Sequence, residues 1–300
     1  MKKTTSAFIA IVGKPNVGKS SILNKLIGQK IAIVSDKPQT TRTRISGIIT
    51  KDEMQLVFID TPGLHKPKNT LGEKMVKAVN EGMTDVDCCL LVVEADKKIT
   101  PAEEDLMKKF SSRKIPAVLA INKIDLLKDK SELFEIIKIY TDAYDFSAVV
   151  PVSAKNSEGL TELLSELEKF AVESVHFFDD NAFTDQPERV ITAEIIREKL
   201  LCSLDKEVPH GIAVDLERFV ERDTVDGEPI VEVEATIICE KDSHKGIIIG
   251  KGGAMLKRIG IMARRDIEKF FGIRATVKLW VKVKEDWRNR QGLIHTFGLD

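Results

Sequence analysis

Gly13-Lys14-Pro15-Asn16-Val17-Gly18-Lys19-Ser20 follows the apolar run Phe8-Ile9-Ala10-Ile11-Val12 and precedes Ser21-Ile22-Leu23-Asn24-Lys25-Leu26-Ile27. The order is strand, glycine-rich turn, helix, and that context gives the G-x-x-x-x-G-K-S pattern a mechanism. Glycines let backbone N–H groups converge on phosphate oxygens, and the helix N-terminus adds positive potential. Lys19 is placed to reach the β and γ oxygens and stabilise charge there, while Ser20 offers a hydroxyl to Mg²⁺. The segment is expected to hold a nucleoside triphosphate.

Downstream, Asn122-Lys123-Ile124-Asp125 closes the apolar run Val118-Leu119-Ala120-Ile121. That is a strand's carboxyl end, where ligands sit in parallel sheets. Asp125 can accept both N1–H and N2–H₂ of guanine; adenine has no such donor pair on that edge and is rejected. Asn122 is expected at the base edge, with the Lys123 stem over the ring. Ser153-Ala154-Lys155, again after an apolar run, is suited to place a backbone N–H at guanine O6.

Asp60-Thr61-Pro62-Gly63 ends Leu56-Val57-Phe58-Ile59, so Asp60 can hold Mg²⁺ through water and the Gly63 N–H can sense a γ-phosphate. Lys37-Pro38-Gln39-Thr40-Thr41-Arg42-Thr43-Arg44 is polar and aperiodic. It fits a switch segment whose Thr41, or alternatively Thr40, reaches Mg²⁺ while the γ-phosphate is present. GTP and GDP are the expected ligands, with Mg²⁺ as cofactor.

From residue 8 to about 170, short apolar runs at 8–12, 45–50, 55–59, 88–93, 117–121 and 148–152 alternate with helical spacing over 71–79, 102–111, 132–144 and 160–170. Ser131 and Thr161 are candidate N-caps. The pattern predicts an α/β P-loop GTPase domain over 1–175, its mostly parallel six-stranded sheet covered on both faces. Periodicity lapses over 176–188, the expected linker, and a second, α+β grammar fills 189–300. Its order is helix, strand, strand, helix, helix, strand.

In that second half Gly250-Lys251-Gly252-Gly253 is a G-x-x-G loop between helical segments, among Lys245, Lys257, Arg258, Arg264 and Arg265. Such a loop lets a sugar-phosphate backbone approach closely, and KH domains use it to clamp unpaired nucleotides. Gly250, Lys251, Gly252, Gly253, Lys257 and Arg258 are the candidate RNA contacts. Ile248, Ile249, Met255 and Ile259 are candidates for an adjoining apolar groove, with core packing as the alternative for each. Residues 241–300 hold 14 lysines and arginines against 6 aspartates and glutamates, whereas the first 240 hold 32 against 41. The basic end, read as ending in a basic tail, suits nucleic acid.

The chain is 300 residues long, enough for two domains of ordinary size. Its four cysteines, Cys88, Cys89, Cys202 and Cys239, lie inside apolar runs without C-x-x-C spacing and read as reduced core residues of a cytosolic protein. Met1-Lys2-Lys3 and the run after it imitate an export signal, but the run is short and ends in the phosphate loop.

These motifs in this order resemble the translation-factor-like GTPases, and over nearly the whole chain the resemblance narrows to the Era family of bacterial GTPases with a C-terminal type II KH domain. It implies a slowly hydrolysing GTP switch that binds single-stranded 16S rRNA near its 3′ end during assembly of the small (30S) ribosomal subunit. A monomer in the cytoplasm, with any membrane association peripheral, is the accompanying expectation. In Ras-like proteins a glutamine after Asp-x-x-Gly orients the attacking water; here that place is Leu64, so no general base is identified. Asn16 resembles the asparagine by which related GTPases bind K⁺ across the phosphates, the alternative being that it stabilises the loop turn. A P-loop kinase is a rival disfavoured by residues 122–125. A membrane-linked switch whose basic end meets anionic lipid is the other.

Overall fold

The computed structural model describes residues 3–35, 37, 40–64, 67, 69–96, 98–129, 131–205 and 208–299. Pro38, Gln39 and His65, which belong to the expected switch segments, lie outside the described residues. The chain divides into two units, the first comprising Met1–Val34, Thr41–Pro67 and Gly72–Asp185 and the second Ser35–Thr40, Lys68–Leu71 and Gln186–Asp300.

In chain order β1 (Thr5–Val12) leads into α1 (Lys19–Ile27), the hairpin β2 (Ile45–Lys51) and β3 (Met54–Asp60), α2 (Thr70–Gly82), β4 (Cys88–Glu94), α3 (Pro101–Arg113), β5 (Ala117–Asn122), α4 (Ser131–Ala143), β6 (Ala148–Pro151), α5 (Leu160–Glu168) and the short β7 (Val172–Glu173). The sheet order is β2-β3-β1-β4-β5-β6. Its β2–β3 pair is antiparallel and the others along this path are parallel. β7 adds an antiparallel pairing to β1 beyond the six expected strands.

Successive residues of one strand serve opposite layers. Ile9 and Ile11 pack with Phe58, Leu90 and Val118, whereas Ala10 and Val12 pack with Leu91, Leu119 and Phe110. With both faces covered, each strand reads as an unbroken apolar run, and the loops at the strand ends are left to carry the chemistry. Two expected caps differ. Ser131 is itself the first residue of α4, its N–H bonded to Asp129 Oδ1 at 2.9 Å. Gly159, with φ 72°, caps α5, and Thr161 falls inside the first turn.

Most of the expected linker is tied to the first unit. The buried Gln55 accepts from Phe177 N and Phe178 N at 2.8 and 3.0 Å and donates to Phe178 O at 3.0 Å. Ile48 N donates to Phe183 O at 3.0 Å, and Ser46 Oγ donates to Asp185 Oδ2 at 2.8 Å. His176 Nδ1 lies 2.6 Å from Asp180 Oδ1, and that bond raises the imidazole pKa above its ordinary 6.5. A raised folded-state pKa means stabilisation that is complete below pH 6.5 and lost as pH rises through the folded value. Hydrogen-exchange protection factors over 176–185 are therefore expected to fall about two- to fivefold across that range, the scale of an exposed ion pair. His176→Gln should abolish the dependence; a variant with the same pH profile contradicts it.

The second unit holds α6 (Glu188–Ser203), β8 (Ala213–Asp223), β9 (Pro229–Cys239), α7 (Asp242–Ile249), α8 (Ala254–Phe271), β10 (Arg274–Val283) and α9 (Gln291–Thr296). Its sheet order is β10-β9-β8, with β8–β9 antiparallel and β9–β10 parallel. Ile195, Ile196, Val233, Ile237, Ile259 and Ile267 belong to its core.

The expected basic tail is neither basic nor loose. Residues 285–300 carry two arginines against three acidic side chains. Trp287 is fully buried, donates from Nε1 to Gly211 O at 2.9 Å and meets Phe297 edge-on. Arg288 forks onto Glu240.

Candidate functional site

The loop after β1 folds around a lysine. Lys19 is buried, and its Nζ donates to Lys14 O at 2.9 Å and Gly13 O at 3.3 Å. Burial pulls its pKa down to about 8, against the opposing charge of Asp60. Lys14 pairs with Glu103 at 3.3 Å. Asn16 holds φ 66°, a turn conformation asparagine tolerates.

Ser20 Oγ donates to Asp60 Oδ2 at 2.7 Å and lies 3.0 Å from Thr41 Oγ1, which is 3.4 Å from the same carboxylate oxygen. Asp60 is fully buried and its Oδ1 has no hydrogen-bond partner. Burial pushes its pKa up, against Lys19 and the bonds from Ser20, Thr41 and Thr61. Two hydroxyls gathered at one oxygen of a buried carboxylate whose other oxygen is orphaned form a donor set that a hard divalent cation takes. Of the two threonine candidates, Thr41 joins this cluster; the Thr40 hydroxyl donates instead to Lys37 O at 2.6 Å.

Asp60 begins a turn held against β1 and the phosphate loop. Thr61 Oγ1 donates to Ile11 O at 2.8 Å, and Leu64 N donates to Gly13 O at 3.2 Å. A Cβ at Gly63 would come within 2.6 Å of Pro15 N, so the two loops approach only with glycine there. The Leu64 side chain packs against the core with Val79 and Met83.

Residues 122–125 and 153–155 meet as expected, but Asn122 has a different task. It is buried, its Nδ2 donates to Val17 O at 2.8 Å and its Oδ1 accepts from Ala154 N at 3.1 Å. The side chain ties the phosphate loop to the 153–155 loop. Gly18 sits directly on it: with φ 99°, a Cβ would lie 2.2 Å from Asn122 Nδ2. Ser153 Oγ donates to Asp125 Oδ1 at 2.7 Å, which aims the carboxylate. Lys123, at φ 66°, pairs with Glu94.

In the second unit Gly250, Lys251, Gly252 and Gly253 join α7 to α8, with Lys251 and Gly252 exposed. From this loop a groove runs between α8 and β10, lined by Leu256, Lys257, Gly260, Ile261, Val277 and Leu279 among others. Of the two alternatives for the four apolar candidates, core packing holds. Ile248 and Ile259 are fully buried in the core, and Ile249 and Met255 pack against it. Arg258 is exposed on α8 and does not line the groove, whereas Lys257 and Arg264 do. The overlooked signal is Gly260, a glycine inside a helix that nothing local requires.

Comparison with known proteins agrees with both halves. A family model described as 50S ribosome-binding GTPase matches residues 8–123, and a KH domain model matches residues 207–288. The chain is 51% identical to GTPase Era of Clostridioides difficile, over 98% of each chain. This chain belongs to the GTPase Era family. A second member, from Ruminiclostridium cellulolyticum, is 48% identical over 98% of this chain and 97% of its own. A crystal structure of an Era with MgGDPNP and nucleotides 1506–1542 of 16S ribosomal RNA superimposes with a TM-score of 0.93 at 35% identity, over 99% of each chain. An Aquifex aeolicus Era bound to GDP and AlF₄⁻ matches with the same score, identity and coverage. As an Era the chain is a GTPase, with a P-loop domain followed by a KH domain.

Proposed function

We propose that this GTPase binds the single-stranded 3′ end of 16S rRNA in the groove between α8 and β10, and that GTP times this grip during assembly of the small ribosomal subunit. The observation that carries the reading is the exposed 250–253 loop opening onto that groove, in a chain that matches an RNA-bound Era end to end. Gly250, Lys251, Gly252, Gly253 and Lys257 would take the backbone, and the apolar lining would take bases. Crosslinking in cells followed by sequencing of bound RNA tests it. Reads should concentrate at the 3′ end of 16S rRNA and vanish in a Lys251→Asp/Gly252→Asp variant; an even spread over cellular RNA would contradict the reading.

In the GTPase unit Gly13, Lys14, Pro15, Asn16, Val17, Gly18, Lys19 and Ser20 wrap the phosphates. Ser20, Thr41 and Asp60 fit Mg²⁺, which when bound neutralises charge on the β and γ oxygens. Lys19 stands ready to exchange its two loop carbonyls for phosphate oxygens, and a phosphate beside it would favour its charged form. The turn from Asp60 through Thr61, Pro62, Gly63 and Leu64 follows the γ-phosphate. Asp125 takes the guanine N1–H and N2–H₂, Lys123 and Ile124 flank the base, and Ser153, Ala154 and Lys155 close its O6 side. With Ala154 N–H bonded to Asn122, the donor to O6 is the Lys155 N–H.

Leu64, packed on the core, brings no polar group to the attacking water. We assign part of the missing charge stabilisation to a K⁺ held by Asn16. Hydrolysis should run about tenfold faster in K⁺ than in Na⁺, with Asn16→Ala erasing the difference; equal rates in the two salts would contradict the assignment. We place the protein in the cytoplasm as a monomer. Cys88, Cys89 and Cys239 are buried, whereas Cys202, also expected in the core, is exposed. Among the described residues no helix is long and apolar enough to cross a membrane.

A further inference from the structure

The far edge of the GTPase sheet is β6, which pairs with β5 alone among the described residues. Ser147 N donates to Ala117 O at 2.9 Å on the β5 side, so strand alternation turns the N–H and C=O of Ala148 and Val150 outward. A groove runs beside this edge. Its apolar wall includes Leu127, Leu133 and Val149, and its rim carries Asp125, Glu158, Glu162 and Glu166. Among the described residues no lysine or arginine lines it. Glu158 and Glu162 are exposed, and Glu166 accepts from Lys169 at 2.6 Å. Next in sequence to the lining leucines, Leu126 and Phe134 are 69% and 76% exposed.

We propose that this edge receives an extended, lysine- or arginine-bearing segment of a partner protein as an added strand. Backbone donors and acceptors along an open edge are satisfied by another peptide backbone. The period of two then places one set of the guest's side chains on the apolar wall and the other toward the carboxylates. Charge selects among the occupants. RNA and anionic lipid would bring phosphates against the exposed Glu158 and Glu162, and a second copy of this chain would bring its own acidic rim against the first. A basic peptide alone gains on both counts. The four residues of β6 span about 13 Å, room for a guest stretch of about four residues.

The test uses the full-length, GDP-loaded protein labelled with ¹⁵N and titrated with a short peptide of alternating lysine and valine. The amides of Ala148 and Val150 should shift. Binding should be lost when alternate peptide nitrogens are methylated, and should weaken about tenfold in a Glu158→Lys/Glu162→Lys variant whose thermal unfolding matches the parent. No binding of the lysine peptide, shifts confined to other surfaces, equal binding of a peptide with glutamate in place of lysine, or shifts of the same amides on adding an RNA oligonucleotide alone would each overturn the proposal.

Discussion

Asp125→Asn is expected to lower affinity for GTP roughly 10⁴-fold while giving the protein a new preference for xanthosine triphosphate. The carboxylate, held by the Ser153 hydroxyl at 2.7 Å, would accept two donors from guanine. An asparagine amide in the same place accepts one and turns its own N–H toward the other, leaving a donor facing a donor. Xanthine carries a carbonyl where guanine carries the amino group, so the altered side chain is matched again. Displacement of a fluorescent guanine nucleotide by each triphosphate measures the switch. GTP affinity within tenfold of wild type, or no gain for the xanthine nucleotide, would mean that Asp125 does not read the base.

The second large effect is expected at the other loop. Lys251→Asp/Gly252→Asp should weaken binding of a single-stranded RNA from the 3′ end of 16S rRNA about 100-fold and flatten the salt dependence, with GTP hydrolysis unchanged. Gly252 has φ 59° and nothing within 4 Å of the position a Cβ would take. Aspartate is among the residues that adopt this left-handed conformation most readily, so the loop keeps its shape while a phosphate-facing cation gives way to two anions. Fluorescence anisotropy gives the affinity and phosphate release gives the rate. Binding within threefold of wild type would remove the loop from the RNA site.

The glycine turn between strand and helix, the place of Asp125 at a strand's end and most of the order of elements in both units were legible in the sequence, because each rests on a local pattern. What escaped depends on distant partners. Asn122 binds Val17 O from 105 positions away, a contact no spacing announces. The two-residue β7 and the bonds from Gln55 to residues 177 and 178 lie in a stretch without periodicity. Helical spacing alone leaves groove and core as alternatives for Met255 and Ile259. Met255 and Ile259 share the helical spacing of Ala263 and Ile267, and this is the face that supplies the core, while Leu256, Gly260 and Ile261 face β10.

Whether the nucleotide sets the RNA grip is read from the affinity of one RNA for two forms of the protein. With a 3′-terminal 16S segment, the protein loaded with Mg²⁺ and a non-hydrolysable GTP analogue is predicted to bind at least about tenfold more tightly than the GDP form, a coupling of about 1.4 kcal/mol. Equal affinity in the two forms would contradict the account.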